Sequence, residues 1–192
     1  MANLSEISQA IHRGGVCVLP TETVYGLAAR ADSADAVEKI YVIKGRDFDK
    51  PLAVCIPNLN AAKQLAQFDI LAEKLADEFW PGALTLVLPV ENKSLDPRCY
   101  QGETIALRCP DIQWRESFDY PLALTSANKS GEPPATTAQT GLRVDAVLDS
   151  GPSRDKIPST ILLVKNGKIN CLRAGALNAD DLAAFDIEWP HD

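Results

Sequence analysis

A chain of 192 residues, 46% hydrophobic and 23% charged, is long enough for one sizeable core and short for two, so a single domain over residues 1–192 is expected. Its net charge of -7 excludes a general nucleic-acid coat, which would carry a basic excess, so any affinity for anions has to come from locally clustered cations. With two histidines, one near each end, and five cysteines lacking any C-x-x-C spacing, a protein-held metal or a His-based triad is hard to build.

The chain opens on "NLSEISQAIHRGG", a predicted helix with Asn3 as N-cap, Glu6 three residues on, Leu4, Ile7 and Ile11 on one face, and Gly14 as its stop. No basic-then-apolar leader precedes it, and no apolar run approaches the roughly 20 residues of a membrane span, so a soluble, cytoplasmic protein is expected. "VCVLP" is a short strand followed by the loop "TETVYG". "SADAVEKIYVIKG" is a second helix, capped by Ser33 and packing through Val37, Ile40 and Tyr41. "LAVCI" is a buried strand, and residues about 59–79 make one helix ending at "FWPG". Strands follow at "ALTLVLP" and "TIALRCP", then a short helix near 112–118, then the strand "PLALT". "DAVLDSG", "STILLV" and "INCLR" are further strands, and "ADDLAAF" a closing helix. Helices interleaved with mostly apolar strands indicate an α/β fold. Cys17 and Cys55 sit inside apolar stretches, as reduced core thiols do.

Several polar clusters interrupt this pattern. In "KGRDFDKP", Lys44, Arg46 and Lys50 fall within seven residues where the second helix gives out. They either complement the helix dipole and pair with Asp47 and Asp49, or offer a point charge and a guanidinium fork to phosphate. "TSANKSG" follows a strand end, where Ser126 and Asn128 and the loop amides either cap a turn or line an anion nest. No G-x-S-x-G elbow surrounds Ser126, which argues against a serine nucleophile. "PTETVYG" gives alternate hydroxyls at Thr21, Thr23 and Tyr25 after a strand. Arg108 stands among apolar neighbours and needs a carboxylate from the protein or from a ligand. Ser159 precedes a strand and Arg173 follows one. Neither G-x-x-x-x-G-K-[ST] nor G-x-G-x-x-G occurs, which excludes nucleotide binding by those two routes.

The ordered set "PTETVYGLAA", "KGRDFDKPLAV", "FWPGALTLVLP", "IALRCP" and "TSANKSGEPP" closely resembles the YrdC-like family of threonylcarbamoyl-AMP synthases, from about residue 4 to residue 176. The length resembles the family's short bacterial form, without the further C-terminal domain of longer relatives. The resemblance implies a twisted mixed α/β sheet flanked by helices, with a large open concave cavity. It implies conversion of L-threonine, bicarbonate and ATP into threonylcarbamoyl-adenylate and pyrophosphate, with Mg²⁺ bound through the ATP phosphates. A tRNA-modifying transferase complex would then receive the adenylate and modify the adenosine beside the anticodon.

Residue by residue, the family's K-x-R falls on Lys44 and Arg46 and its S-x-N on Ser126 and Asn128, a catalytic set facing the phosphates. Lys50, Thr104 and Arg173 match further ATP-side positions, and Thr23, Arg108 and Ser159 match threonine-side positions, Arg108 taking the carboxylate. Three positions depart from the pattern. Asp47 replaces a usual Pro, which predicts a looser loop; Cys55 replaces a threonine-contacting histidine, and Pro134 an ATP-contacting serine. The competing readings are an RNA-binding module of the same fold, binding tRNA or double-stranded RNA weakly without turnover, and a relative acting on another carbamoyl or acyl substrate.

Overall fold

The structure, a computed structural model, describes residues 1–190; His191, one of the two histidines, lies outside the described residues. Helix α1 (Leu4–His12) begins with the predicted capping box: the Asn3 side chain accepts from the Glu6 N–H, and the Glu6 carboxylate from the Asn3 N–H. Two donors that a helix start leaves orphaned are thereby satisfied. Helix α2 (Ala34–Lys44) is capped by Ser33 and ends at Gly45, whose φ of 61° is the left-handed geometry that a residue without Cβ adopts freely.

The helix expected over about 59–79 is two helices, α3 (Leu59–Lys63) and α4 (Ile70–Phe79). Between them Ala66 bridges Val90 and the Gln67 N–H reaches the Pro89 carbonyl at 2.8 Å. Asp69 then starts the second helix, accepting from Leu71 and Ala72. The short helix near 112–118 is a 3-10 turn over Gln113–Ser117. The predicted closing helix at "ADDLAAF" does not form. The Asn178 side chain accepts from the Asp180 and Asp181 N–H groups, and the backbone closes only tight turns, Ala183 to Asp180 and Phe185 to Leu182.

The strands are β1 (Cys17–Leu19), β2 (Gly26–Arg30), β3 (Ala53–Cys55), β4 (Leu84–Pro89), β5 (Tyr100–Gln101), β6 (Thr104–Arg108), β7 (Leu122–Ser126), β8 (Ala146–Val147), β9 (Thr160–Lys165), β10 (Lys168–Arg173) and β11 (Ile187–Glu188). They form one mixed sheet in the order β11-β10-β9-β4-β6-β3-β7-β2-β1-β8, with β5 beside β6. The pairs β1/β8, β3/β6, β4/β9 and β10/β11 are parallel and the rest antiparallel. Strand β2, "GLAAR", has no counterpart in the sequence reading.

Side-chain alternation then divides the sheet into two faces. Leu27, Val54, Leu86, Leu107, Ala123 and Leu162 pack into the larger core with residues of α2, α3 and α4. On the opposite face, Cys17, Leu19, Ala28, Cys55 and Leu122 pack under Ile7 and Ile11 of α1 and under Trp114 and Phe118. That cover reaches only one end of the second face. Among the described residues no helix is long and apolar enough to cross a membrane.

Candidate active site

The uncovered part of the second face is the floor of a cavity of about 590 Å³, within the range of small-molecule sites. Period-2 alternation puts Thr104, Ala106 and Arg108 of β6 and Thr85 and Val87 of β4 on this floor, while Ile105, Leu107, Leu84, Leu86 and Leu88 turn into the core. Arg173 reaches the cavity by a different device. The β9/β10 register shifts between Cys171 and Arg173, so Arg173 comes opposite Ile161, a floor residue, instead of following Cys171 into the core. Bulges re-aim side chains in this way.

Of the ten site residues expected from the sequence, Thr23, Arg46, Lys50, Thr104, Arg108, Ser126, Ser159 and Arg173 line the cavity, and Lys44 and Asn128 do not. The Lys44 ammonium is buried and surrounded by oxygens: the Ser126 carbonyl at 2.6 Å, the Asn128 carbonyl at 2.9 Å, Asn128 Oδ1 at 3.0 Å and Ser126 Oγ at 3.3 Å. Burial first, and the neighbouring charge of Arg46 second, pull its pKa down to about 8. Asn128 completes the brace by donating Nδ2 to the Lys129 and Glu132 carbonyls at 2.8 and 2.7 Å. The loop also caps α2, because Lys129 Nζ donates to the Ile43 carbonyl at 2.6 Å and the Ser130 N–H to the Lys44 carbonyl at 2.8 Å.

Arg46 is held by its own loop, Nε donating to the Lys50 carbonyl at 3.1 Å and Nη2 to the Pro51 carbonyl at 3.0 Å. Lys50 pairs with Asp47 at 2.7 Å on exposed surface. Thr104 Oγ1 donates to the Gln101 carbonyl at 2.9 Å.

The other side of the cavity is carried by the sheet. Arg108, 6% exposed, pairs with Glu22 at 2.7 Å and donates to Thr23 Oγ1 at 2.8 Å. Thr23 is itself fully buried, so its hydroxyl braces the arginine from behind. Ser159 Oγ lies 2.8 Å from Thr85 Oγ1, and its carbonyl accepts Arg173 Nη2 at 2.7 Å. Burial first, then the like charge of Arg108, lower the Arg173 pKa, so the two guanidinium groups feel one another. Gly175 allows this closure: a Cβ there would overlap the Pro158 carbonyl and stand 2.6 Å from the Ser159 carbonyl oxygen.

Two residues of this side were missed by the sequence reading. Glu22 is one; its signal was a lone acid between hydroxyls in "TETVYG", with Arg108 in want of a carboxylate. Thr85 is the other, a hydroxyl on the polar phase of "ALTLVLP". Cys55 is buried in the smaller core and is not part of the cavity lining, its thiol pushed up to about 12 by burial. Pro134 lines the cavity. Among the described residues no group of three or more His, Cys, Asp or Glu converges to hold a metal ion.

The Sua5/YciO/YrdC family model, whose description reads "Telomere recombination", matches residues 9–175. The threonylcarbamoyl-AMP synthase of Bacillus subtilis (strain 168) is 39% identical over 197 residues, and the alignment covers 95% of this chain and 57% of that protein. A putative threonylcarbamoyl-AMP synthase of Methanocaldococcus jannaschii is 36% identical, with 94% of this chain and 89% of that protein covered. The crystal structure of P. abyssi Sua5 complexed with L-threonine matches with a TM-score of 0.91 and 32% identity, covering 97% of this chain and 58% of that one. The chain thus spans a little over half the length of two of these relatives and most of the third. By the extent of the family match, with the fold and the relatives in agreement, the chain belongs to the Sua5/YciO/YrdC family.

Proposed function

We propose that this chain makes threonylcarbamoyl-adenylate and pyrophosphate from L-threonine, bicarbonate and ATP. One observation carries the reading: two cationic groups braced by separate parts of the chain, Arg46 in a loop and Arg108 on a strand, line one cavity of about 590 Å³. The names of the relatives and the threonine complex of the P. abyssi protein support it.

In this reading Arg108, with Ser159, holds the amino acid, and Arg46, Lys50, Thr104, Ser126 and Arg173 face the triphosphate. Lys44 and Asn128 act one layer back, fixing the strand end that carries Ser126. The threonine amine adds to bicarbonate with loss of water, forming an N–C bond and a carbamate. A carbamate oxygen attacks the α-phosphorus, and the bond to the β-phosphate bridge breaks as pyrophosphate leaves. Two anions have to meet, so the site neutralises charge in advance. A unit charge pair at ~4 Å is worth ~4 kcal/mol at an effective dielectric of ~20, against about 0–1 kcal/mol for a pair on wet surface. No histidine base is needed, because the carbamate already carries its charge. Mg²⁺ on the triphosphate would be held by phosphate oxygens and water, given the lack of a carboxylate cluster among the described residues. The adenylate would pass to a tRNA-modifying transferase complex in the cytoplasm, for modification next to the anticodon.

The test is incubation with ATP, bicarbonate, Mg²⁺ and labelled threonine, followed by mass identification of the adenylate. Pyrophosphate release that stops when threonine is omitted supports the reading. Salt-sensitive binding of tRNA with no pyrophosphate release would instead mark an RNA-binding module.

A further inference from the structure

Glu22 takes no part in the reaction as written above, yet its carboxylate is 2% exposed and belongs to an ion pair at the cavity wall. Its Oε1 accepts one proton of Arg108 Nη2 at 2.7 Å, and the other proton of that nitrogen goes to Thr23 Oγ1 at 2.8 Å. Thr21 gives its only hydroxyl proton to the Val24 carbonyl at 2.6 Å. In the 2.9 Å contact between the two threonine hydroxyls, Thr23 must therefore be the donor. Protons run one way, from Arg108 through Thr23 and Thr21 to the backbone. Nη2 is then fully used, and Nε is buried without a partner among the described residues. By elimination, Nη1 is the edge that Arg108 has left for a ligand in the cavity it lines.

We infer that Glu22 is a positioning residue, pinning one edge of the Arg108 guanidinium so that Nη1 meets the carboxylate of the amino-acid substrate in a fixed orientation. The inference rests on the proposed threonine site. Glu22 offsets part of the Arg108 charge, so the subsite favours a group that bonds directionally with Nη1 over a diffuse anion.

The test combines calorimetric titration of threonine with KM values for threonine and for ATP from pyrophosphate release, in wild type, Glu22→Ala, Glu22→Gln, Arg108→Ala and the double alanine variant. Glu22→Ala is expected to weaken threonine binding at least ~10-fold while the KM for ATP moves less than ~2-fold. Glu22→Gln keeps an acceptor for Nη2 and recovers most of that loss. In the Arg108→Ala background, Glu22→Ala adds less than ~2-fold, because its effect runs through the arginine. Unchanged threonine affinity in Glu22→Ala overturns the inference, as does a matching rise in both KM values that glutamine fails to rescue. Should the alanine variant not fold, Glu22→Asp replaces it: the shortened carboxylate must bind threonine more weakly than Glu22→Gln, and the reverse order overturns the assignment. Calorimetry separates the two readings: a wild type that binds threonine without releasing pyrophosphate defeats the synthase reading alone, and the variant series still decides Glu22.

Discussion

The two sides of the cavity hold their cations by opposite means. On the sheet side, Arg108 is fixed by a buried carboxylate and a buried hydroxyl, and strand pairing sets the position of its backbone. On the loop side, no carboxylate among the described residues neutralises the buried Lys44; neutral carbonyl, amide and hydroxyl oxygens surround it instead, and Arg46 leans on the carbonyls of its own loop. A cation matched by a carboxylate has part of its charge offset within the protein. A buried cation matched only by dipoles sits closer to losing its proton, and its environment retains more positive potential for a phosphate.

Breaking the sheet side should have the largest effect. Arg108→Ala leaves Glu22 buried without its partner, which costs about 3–5 kcal/mol of stability as well as the substrate carboxylate contact. A thermal melt should fall by many degrees and threonine titration should show much weaker binding; an unaltered melting temperature would contradict the buried pairing. On the loop side, Lys44→Ala should cut pyrophosphate release by on the order of 10²–10³ through loss of Ser126 positioning, with the threonine titration little changed. Equal losses in threonine affinity would show that the two sides are not separately braced.

The contrast is sharpened by pH. Lys44 carries its proton below about 8 and loses it above, so the clamp on residues 126–128 is present on the acid side of that value and released on the alkaline side. The rate of pyrophosphate release is expected to decline as pH rises through about 8, and Lys44→Arg, which stays protonated there, should flatten that limb. A smaller effect is expected from Gly175→Ala, which forces the Pro158–Ser159 backbone to shift: the KM for threonine should rise several-fold, about 3–10 times, with that for ATP nearly constant. The smallest belongs to Asp47→Ala, whose exposed pair with Lys50 is screened by water. Its melting temperature should match wild type in a calorimetric scan.

The same contrast separates what the sequence made legible from what it hid. The strands of the sheet side could be read because Thr85, Thr104 and Arg108 interrupt apolar runs at the phase that faces away from the core. Strand β2 could not. "GLAAR" carries no alternation of size or polarity, and its pairing with β1 and β7, far apart in sequence, is what makes it a strand. The break between α3 and α4 was hidden for a like reason, since the Ala66–Val90 bridge is a tertiary contact. On the loop side, Lys44, Arg46, Ser126 and Asn128 were singled out by their resemblance to the family's motifs. What the sequence concealed was depth: nothing in "KGR" says that the lysine turns inward to the strand end while the arginine stays at the wall. Glu22 was concealed likewise, because an acid in a loop is ordinarily a wet one.

The join between α2 and the segment that follows β7 has one more consequence. The last carbonyls of the helix are satisfied by Lys129 and Ser130, more than eighty positions further along the chain. Fraying of the helix terminus and melting of that segment are consequently one event with one opening equilibrium. Whatever grips Ser126 should slow deuterium uptake at the amide of Gly45, whose bonds to Tyr41 and Val42 close the helix end, so occupancy of the cavity can be followed from a helix cap outside its lining.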